Sequence, residues 1–190
     1  MRTGTRIVAA AVAVALLSGC SGGSSDPDRA TAKDAWGDPP AAAPAAKIGA
    51  PGTACPLPIT FDVAGEWSPE AVEDGLFDQG GFALRCEIDA KPAGHLGFLR
   101  VWTGHGTDPA AALEAFVKAE QGTAAITGRR TRSGPASAET TYLDVENDRP
   151  ERVLAFSTGP DIVILTLGGA DTEEHEDMLP AYVLARDTMA

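Results

Sequence analysis

The feature that most constrains this 190-residue chain is an export segment at its N-terminus. Arg2 and Arg6 accompany residues 7–17, an unbroken run of Ile, Val, Ala and Leu. A run of this length is typical of the apolar part of a signal peptide, and it is too short to cross a bilayer, which takes about 20 apolar residues. We therefore predict that residues 1–19 are a signal peptide and that the rest of the chain folds outside the cytoplasm.

The sequence around Cys20 predicts a lipid anchor. The apolar run ends in Leu17-Ser18-Gly19-Cys20, which resembles a bacterial lipobox, an aliphatic residue and two small residues before a cysteine. The thiol of Cys20 would receive the diacylglyceryl group, and two acyl chains anchor a protein stably. We expect the protein to be held by Cys20 at the cell membrane, on its extracytoplasmic face. The alternative is an ordinary secretory signal that happens to end near a cysteine.

The charge of the chain excludes one class of partner. The sequence has 27 acidic and 15 basic residues, and the loss of Arg2 and Arg6 with the signal leaves a net charge near −14. Such a surface repels nucleic acid phosphates and anionic lipid headgroups. We therefore expect no nucleic acid partner, and the lipid rather than charge must hold the protein at the membrane.

Two further cysteines predict a disulfide. Once Cys20 is lipidated, Cys55 and Cys86 remain, and an even pair in an exported chain is typical of one disulfide. Closing a loop of this size should stabilise the fold by about 3–4 kcal/mol. Two free thiols or a shared metal ion are the alternatives. Neither is favoured outside the cytoplasm, and no zinc-type spacing of Cys and His is present.

The composition divides the mature chain in two. Residues 20–52 contain the lipidated cysteine followed by Ser, Gly, Ala, Pro and Asp, with few large apolar residues, which predicts a flexible linker. From Thr53 onward the composition becomes that of a folded protein. Residues 53–190 are therefore predicted to form a single globular domain.

Hydrophobic periodicity predicts an α+β fold for this domain. Alternation in residues 82–89 indicates a strand with Phe82, Leu84, Cys86 and Ile88 on one apolar face. Residues 162–167 are apolar enough for a central strand. Asp108-Pro109 predicts a helix start. Residues 171–189 predict a second helix, kinked or split at Pro180. With five further strand candidates, we expect a largely antiparallel sheet of about six to seven strands packed by two helices.

Motifs of catalysis are absent from the sequence. There is no P-loop, dinucleotide-binding glycine pattern, zinc-protease motif or EF-hand loop, and no cofactor is expected. A catalytic triad could still involve His95, His105 or His175, because its members meet in space rather than along the chain. The simpler interpretation is that all three histidines are exposed polar residues. A small cell-envelope hydrolase therefore stays as the alternative to a non-catalytic protein.

Two charged clusters have a simple interpretation and a functional one. Residues 173–177, Glu-Glu-His-Glu-Asp, suit a solvated helix N-terminus, where the helix dipole favours negative charge, or a cation site. Arg129, Arg130 and Arg132 suit solvated strand positions or contact with an anionic ligand. The simple interpretation is favoured for both clusters.

A binding surface is predicted on one face of the strand that ends near residue 103. Phe98, Arg100 and Trp102 share a strand face, and a buried unpaired guanidinium would be heavily penalised. This face should therefore be open at Arg100, or Arg100 should be paired with a carboxylate. Trp67 and the glycine-flanked His105 complete the predicted ligand-binding group. The alternative is that the aromatic side chains cover a second hydrophobic layer.

Four stretches of sequence resemble a family of actinobacterial, streptomycete-type secreted lipoproteins of unknown function. They are Cys55-Pro-Leu-Pro-Ile-Thr-Phe61 with Trp67, Cys86-Glu-Ile-Asp-Ala-Lys-Pro-Ala-Gly94, Gly97-Phe-Leu-Arg-Val-Trp-Thr103 and Asp171-Thr-Glu-Glu-His-Glu-Asp-Met-Leu-Pro-Ala-Tyr182. The order of predicted elements more distantly resembles the PsbP-like fold, which includes the mycobacterial LpqN and LpqT lipoproteins. This resemblance implies a non-catalytic binding or adaptor module whose protein or small-molecule partner in the cell envelope is unknown.

Overall fold

A computed structural model describes residues 36–122, 126–145 and 149–190. The predicted signal peptide, Cys20 and the linker up to residue 35 lie outside these residues. The described strands are β1 (Pro44–Ile48), β2 (Phe61–Ala64), β3 (Ser68–Ala71), β4 (Asp78–Gln79), β5 (Phe82–Asp89), β6 (Phe98–His105), β7 (Ile126–Ser133), β8 (Ser137–Asp144), β9 (Arg149–Ser157) and β10 (Asp161–Gly168). The helices are α1 (Pro109–Gln121) and α2 (Thr172–Asp187), and a 3-10 turn covers Lys91–Ala93.

An antiparallel sheet of eight strands organises the domain. Its order is β3-β5-β6-β10-β9-β8-β7, with β4 also paired to β5, and β1 and β2 form a separate two-stranded sheet. The predicted α+β class, antiparallel sheet and two helices are confirmed, as is the central place of β10. The short strands β3 and β4 were not predicted, and they bring the main sheet to eight strands instead of six or seven.

The folded domain begins earlier than predicted. Residues 37–190 form one compact unit, so the boundary predicted at Thr53 is wrong. β1 pairs with β2 over most of its length, and the backbone N–H of Ala42 donates to the carbonyl of Pro180 at 2.9 Å. Ile48 is buried at the end of β1. These contacts order a segment that has too few apolar residues to be recognised as folded from its composition.

The two helices cover opposite faces of the main sheet. Leu113, Phe116 and Val117 of α1 pack on one face, and Met178, Leu179 and Tyr182 are among the α2 residues that pack on the other. Each helix begins at an aspartate whose carboxylate accepts backbone N–H groups, Asp108 for α1 and Asp171 for α2. α2 continues through Pro180 as one helix, so the predicted alternative of two short helices is wrong.

A β-bulge in β5 changes which face its side chains occupy. Leu84 pairs with Trp102 and Cys86 pairs with the neighbouring Val101, so Arg85 is an extra residue in β5. The extra residue reverses the alternation. Phe82 and Leu84 therefore face α1, whereas Cys86 and Ile88 face α2. The prediction that all four share one face is wrong.

The structure contains the disulfide predicted between Cys55 and Cys86. Both cysteines are fully buried in the core beneath α2. The bond joins the segment before β2 to the strand β5, and so it connects the small sheet to the main sheet.

Candidate functional site

The four residues of the predicted binding surface do not lie together. Trp102 is buried under α1, with its ring 5.4 Å from that of Phe116, whereas Trp67 packs against the core on the opposite face of the sheet. His105 is exposed at the end of β6. The prediction of one site formed by Trp67, Arg100, Trp102 and His105 is therefore wrong. The alternative, an aromatic side chain that covers a second hydrophobic layer, describes Trp102.

Of these four residues, Arg100 lies in a cleft. It occupies the same face of β6 as Trp102, but two residues further from α1, where the helix no longer covers the sheet. Its Nε lies 2.6 Å from Oε1 of Glu87, and its guanidinium stacks 4.9 Å from the ring centre of Phe98. The carboxylate of Glu87 therefore compensates the charge of Arg100, which would be heavily penalised if it were buried without a partner.

The cleft forms where α1 ends before the sheet does. In the strand register Arg100 pairs with Thr166, and Glu151 pairs with both Gly168 and Tyr142, which places these side chains in adjacent rows. Two adjoining cavities of about 220 and 190 Å³ lie over these rows. We name this surface the polar cleft, and its principal side chains are Phe98, Arg100, Glu120, Tyr142, Asp144, Arg149, Glu151 and Thr166.

Ion pairs and a phenol hold the carboxylates of the polar cleft in place. The Nε of Arg149 lies 2.5 Å from Oε1 of Glu151, whose side chain is only 5% exposed. The hydroxyl of Tyr142 donates a hydrogen bond to the carboxylate of Glu120 at the end of α1. Because the helix and two strands each contribute to these pairs, the arrangement depends on the tertiary structure.

The polar cleft holds a carboxyl group that titrates near neutral pH. Burial and, to a smaller extent, the charge of Glu120 raise the pKa of Glu151 to about 7, against the opposing effect of Arg149. Burial of its carboxyl group also raises the pKa of Glu120, despite the hydrogen bond from Tyr142. Burial and the charge of Glu120 raise the pKa of Tyr142, so this phenol stays protonated as a donor.

Arg129 and Arg132, which the sequence places in one basic group with Arg130, make separate contacts. Arg129 contacts Glu114 of α1 through both terminal nitrogens, so it closes α1 onto β7. Arg132 instead pairs with Glu139 and Asp38 on the α2 side of the sheet. A bulge between Thr127 and Arg130 accompanies this separation.

The acidic segment at the start of α2 has structural roles. The carboxylate of Glu174 accepts the backbone N–H groups of Leu96 and Ala170. Among the described residues, no group of three or more His, Cys, Asp or Glu side chains is placed to hold a metal ion. The arrangement favours the interpretation as a helix N-terminus over a cation site.

His175 is buried, which contradicts its interpretation as an exposed residue. It is 4% exposed, and burial, with a smaller effect from Arg152, lowers its pKa to about 4. Gly169 allows this close packing, since a Cβ at Gly169 would lie 3.0 Å from the backbone nitrogen of His175. His175 is therefore neutral at physiological pH.

The structure places His105 beside a carboxylate, but on an open surface. Its Nδ1 lies 2.7 Å from Oδ1 of Asp161, and its side chain is 97% exposed. An enclosed site that excludes water strengthens the electrostatic effects on which hydrolysis depends. This pair has no such enclosure, and its geometry does not favour the hydrolase alternative.

Comparisons with known proteins identify the family of the chain. The protein is of the α+β class, with a disulfide and an open polar cleft. Among the described residues, no helix is long and apolar enough to cross a membrane. The model of a family of uncharacterised lipoproteins matches residues 25–189, and the chain belongs to that family. Membership implies association with a membrane through a lipid anchor.

One solved structure that is similar to this chain is the solution structure of cyanobacterial PsbP (CyanoP) from Synechocystis sp. PCC 6803. The two are 11% identical, with a TM-score of 0.48, and the similarity covers 75% of this chain and 96% of that chain. The comparison with curated proteins finds no match.

Proposed function

We propose that this protein is a non-catalytic binding module, held by a lipid on Cys20 at the extracytoplasmic face of the cell membrane, that takes its ligand or partner in the polar cleft. Lipoprotein family membership and the lipobox support the anchor. The polar cleft carries the rest of the proposal, because it is a concave surface lined by charged side chains of both signs. The streptomycete-type origin stays a prediction.

The charges of the polar cleft favour a ligand group that carries positive charge. Three carboxylates line it, those of Glu120, Asp144 and Glu151, against the two guanidinium groups of Arg100 and Arg149. Arg100 is already paired with Glu87. An amine or guanidinium that entered the cleft would offset the repulsion between the carboxylates that raises the pKa of Glu151.

Apolar side chains near the polar cleft favour a protein as the source of that group. Leu96 lines the cleft and is 71% exposed. Val145 follows the cleft residue Asp144 and is 50% exposed. A basic side chain on a partner protein could enter the cleft while apolar groups beside it cover these two residues.

Site-specific photo-crosslinking on membranes tests this proposal. A photoreactive residue replaces Leu96 in the anchored full chain, and a second chain carries it at exposed Glu173 on α2 instead. We expect a discrete crosslinked product from position 96. Glu120→Gln should reduce its yield by about tenfold, because a charge-assisted contact is lost, whereas the matched change Glu176→Gln on α2 should preserve it.

Two outcomes would contradict the proposal. Equal products from positions 96 and 173 would show that contact is not confined to the polar cleft, and an unchanged yield with Glu120→Gln would show that its carboxylates are not used. A hydrolase is tested separately with a serine-reactive fluorophosphonate probe. If the probe labels the wild-type chain and this labelling disappears with His105→Ala, the protein is a hydrolase and not a non-catalytic binding module.

A further inference from the structure

A second cluster of charged side chains lies on the opposite face of the sheet from the polar cleft. It joins β7, β8 and β9 to α2 and to the segment before β1. Its members are Asp38, Arg132, Glu139, Arg152, Tyr182 and Arg186, which we name the arginine cluster. The side chains of Arg152 and Glu139 are each 3% exposed, so the centre of the network is buried, whereas Arg132 at its edge is 37% exposed.

Three guanidinium groups converge on the carboxylate of Asp38. Arg186 Nη1 lies 2.9 Å and Arg132 Nη2 lies 3.2 Å from Oδ2, and Arg152 contacts Oδ1. The side chain of Asp38 is 7% exposed. Burial alone would raise the pKa of Asp38, but the hydrogen bonds and charges of Arg186 and Arg152 keep it below its usual value.

The two acidic members of the cluster are attached to the fold differently. Glu139 belongs to β8, accepts from Arg152 at 2.8 Å and accepts the Tyr182 hydroxyl at 2.9 Å. Asp38 instead precedes β1, in a segment that is neither helix nor strand. Glu139 is therefore part of the main sheet, whereas Asp38 supplies its carboxylate from a segment outside that sheet.

An open cavity adjoins the same arginine side chains. Its volume is about 460 Å³, and Arg132 and Arg186 line it together with Glu139. Leu154 and Phe156 supply its apolar surface. The cavity thus places an apolar surface beside two guanidinium groups that bind a carboxylate.

We propose that the arginine cluster and this cavity form a binding site for a monocarboxylate with an aromatic or branched apolar group next to its carboxylate. The carboxylate of the ligand takes the position of the Asp38 carboxylate, and its apolar group lies on Leu154 and Phe156. Asp38 is the intramolecular occupant of the site. Charge balance supports the exchange, because Glu139 stays paired with Arg132 and Arg152 while the ligand replaces one carboxylate by another.

Ligand binding to Asp38→Ala in the full mature chain tests the proposal, with acetate, phenylacetate and the neutral phenylacetamide as probes in isothermal titration calorimetry. We expect phenylacetate to bind Asp38→Ala at least about tenfold more tightly than wild type, because charge-assisted pairing with arginine becomes available without competition. Acetate should bind more weakly than phenylacetate, and phenylacetamide should bind the variant no better than wild type.

Asp177→Ala is the matched control, because Asp177 is an exposed carboxylate of α2 that does not line the cavity. An equal gain in this variant, or no gain for phenylacetate in a folded Asp38→Ala chain, would overturn the proposal. Equal gains for phenylacetate and phenylacetamide would also overturn it, since the site would then not recognise a carboxylate.

Hydrogen exchange on the wild-type chain keeps the test independent of the stability of the variant. A saturating concentration of phenylacetate should displace Asp38 and expose the amide of Ala42, which bonds to Pro180. We expect faster exchange in residues 37–43 and unchanged exchange in β10. Unchanged or slower exchange in residues 37–43 with bound phenylacetate would refute the displacement.

Discussion

The substitution Glu151→Gln should change how the stability of this domain depends on pH. Glutamine resembles the protonated form of Glu151 in shape and removes the titrating group. The side chain is 5% exposed in the polar cleft, so its protonation state affects the folded protein far more than the unfolded chain. The substitution therefore isolates one titration among many.

The size of the effect follows from the shift in pKa. The carboxyl of Glu151 has a pKa of about 7 in the folded protein, against 4.5 as its ordinary value. Between these values the folded state keeps a proton that the unfolded chain has lost, so stability falls as pH rises. At 1.36 kcal/mol for each pKa unit, the loss from pH 4.5 to pH 8 is about 3 kcal/mol.

His175 acts in the opposite direction. Its pKa is about 4 in the folded protein and 6.5 ordinarily, so between these values the unfolded chain binds the additional proton. Stability from His175 therefore rises with pH and is lost as pH falls toward 4. Between pH 4.5 and 6.5 the two contributions nearly cancel in the wild type. Glu151→Gln should unmask a rise of up to about 1.4 kcal/mol per pH unit.

Urea unfolding at pH 4.5, 5.5, 6.5 and 7.5, followed by tryptophan fluorescence, measures this effect. The quantity to compare is the difference in unfolding free energy between Glu151→Gln and wild type, which should shift in favour of the variant by about 3 kcal/mol over this range. Glu176→Gln, an exposed position on α2, is the control and should give a difference that does not vary with pH. A difference for Glu151→Gln that stays constant within about 0.5 kcal/mol would refute a pKa raised by burial.

Three further substitutions test other parts of the molecule. Cys20→Ala should leave the protein unprocessed or away from the membrane, as shown by fractionation and fatty-acid labelling; a labelled, membrane-held variant would contradict the anchor. Replacing Cys55 and Cys86 by alanine should lower the unfolding free energy by about 3–4 kcal/mol in urea titration, and free thiols in the exported wild type would contradict the bond. Asp108→Ala should cost about 1 kcal/mol in the same assay, because α1 loses its N-cap; an unchanged midpoint would show that the cap contributes little.

The sequence by itself determined the features that depend on neighbouring residues. The start of α1 follows from the capping carboxylate of Asp108 and the fixed backbone angle of Pro109. The pair Cys55 and Cys86 was predictable because only two cysteines remain once Cys20 is assigned to the predicted lipid anchor. The α+β class followed from local periodicity, which sets the type of each element.

The tertiary structure alone decided which faces and which partners these elements have. The extra residue Arg85 reverses which face the side chains of β5 occupy. The sequence pattern does not indicate this bulge, because apolar and polar residues continue to alternate through it. Trp102 and Arg100 share a strand face, but α1 covers Trp102 and ends before Arg100, which therefore lies in the polar cleft.

The candidate sites likewise depend on contacts that are distant in sequence. Glu120 meets Tyr142 only because α1 ends over β8, and strand register places Glu151 opposite Tyr142. Asp38 lies 148 positions before Arg186, in a segment whose composition predicted a linker. Its contacts are with the arginines of the arginine cluster and, through β1, with β2, and these interactions exist only once the sheet and α2 have packed.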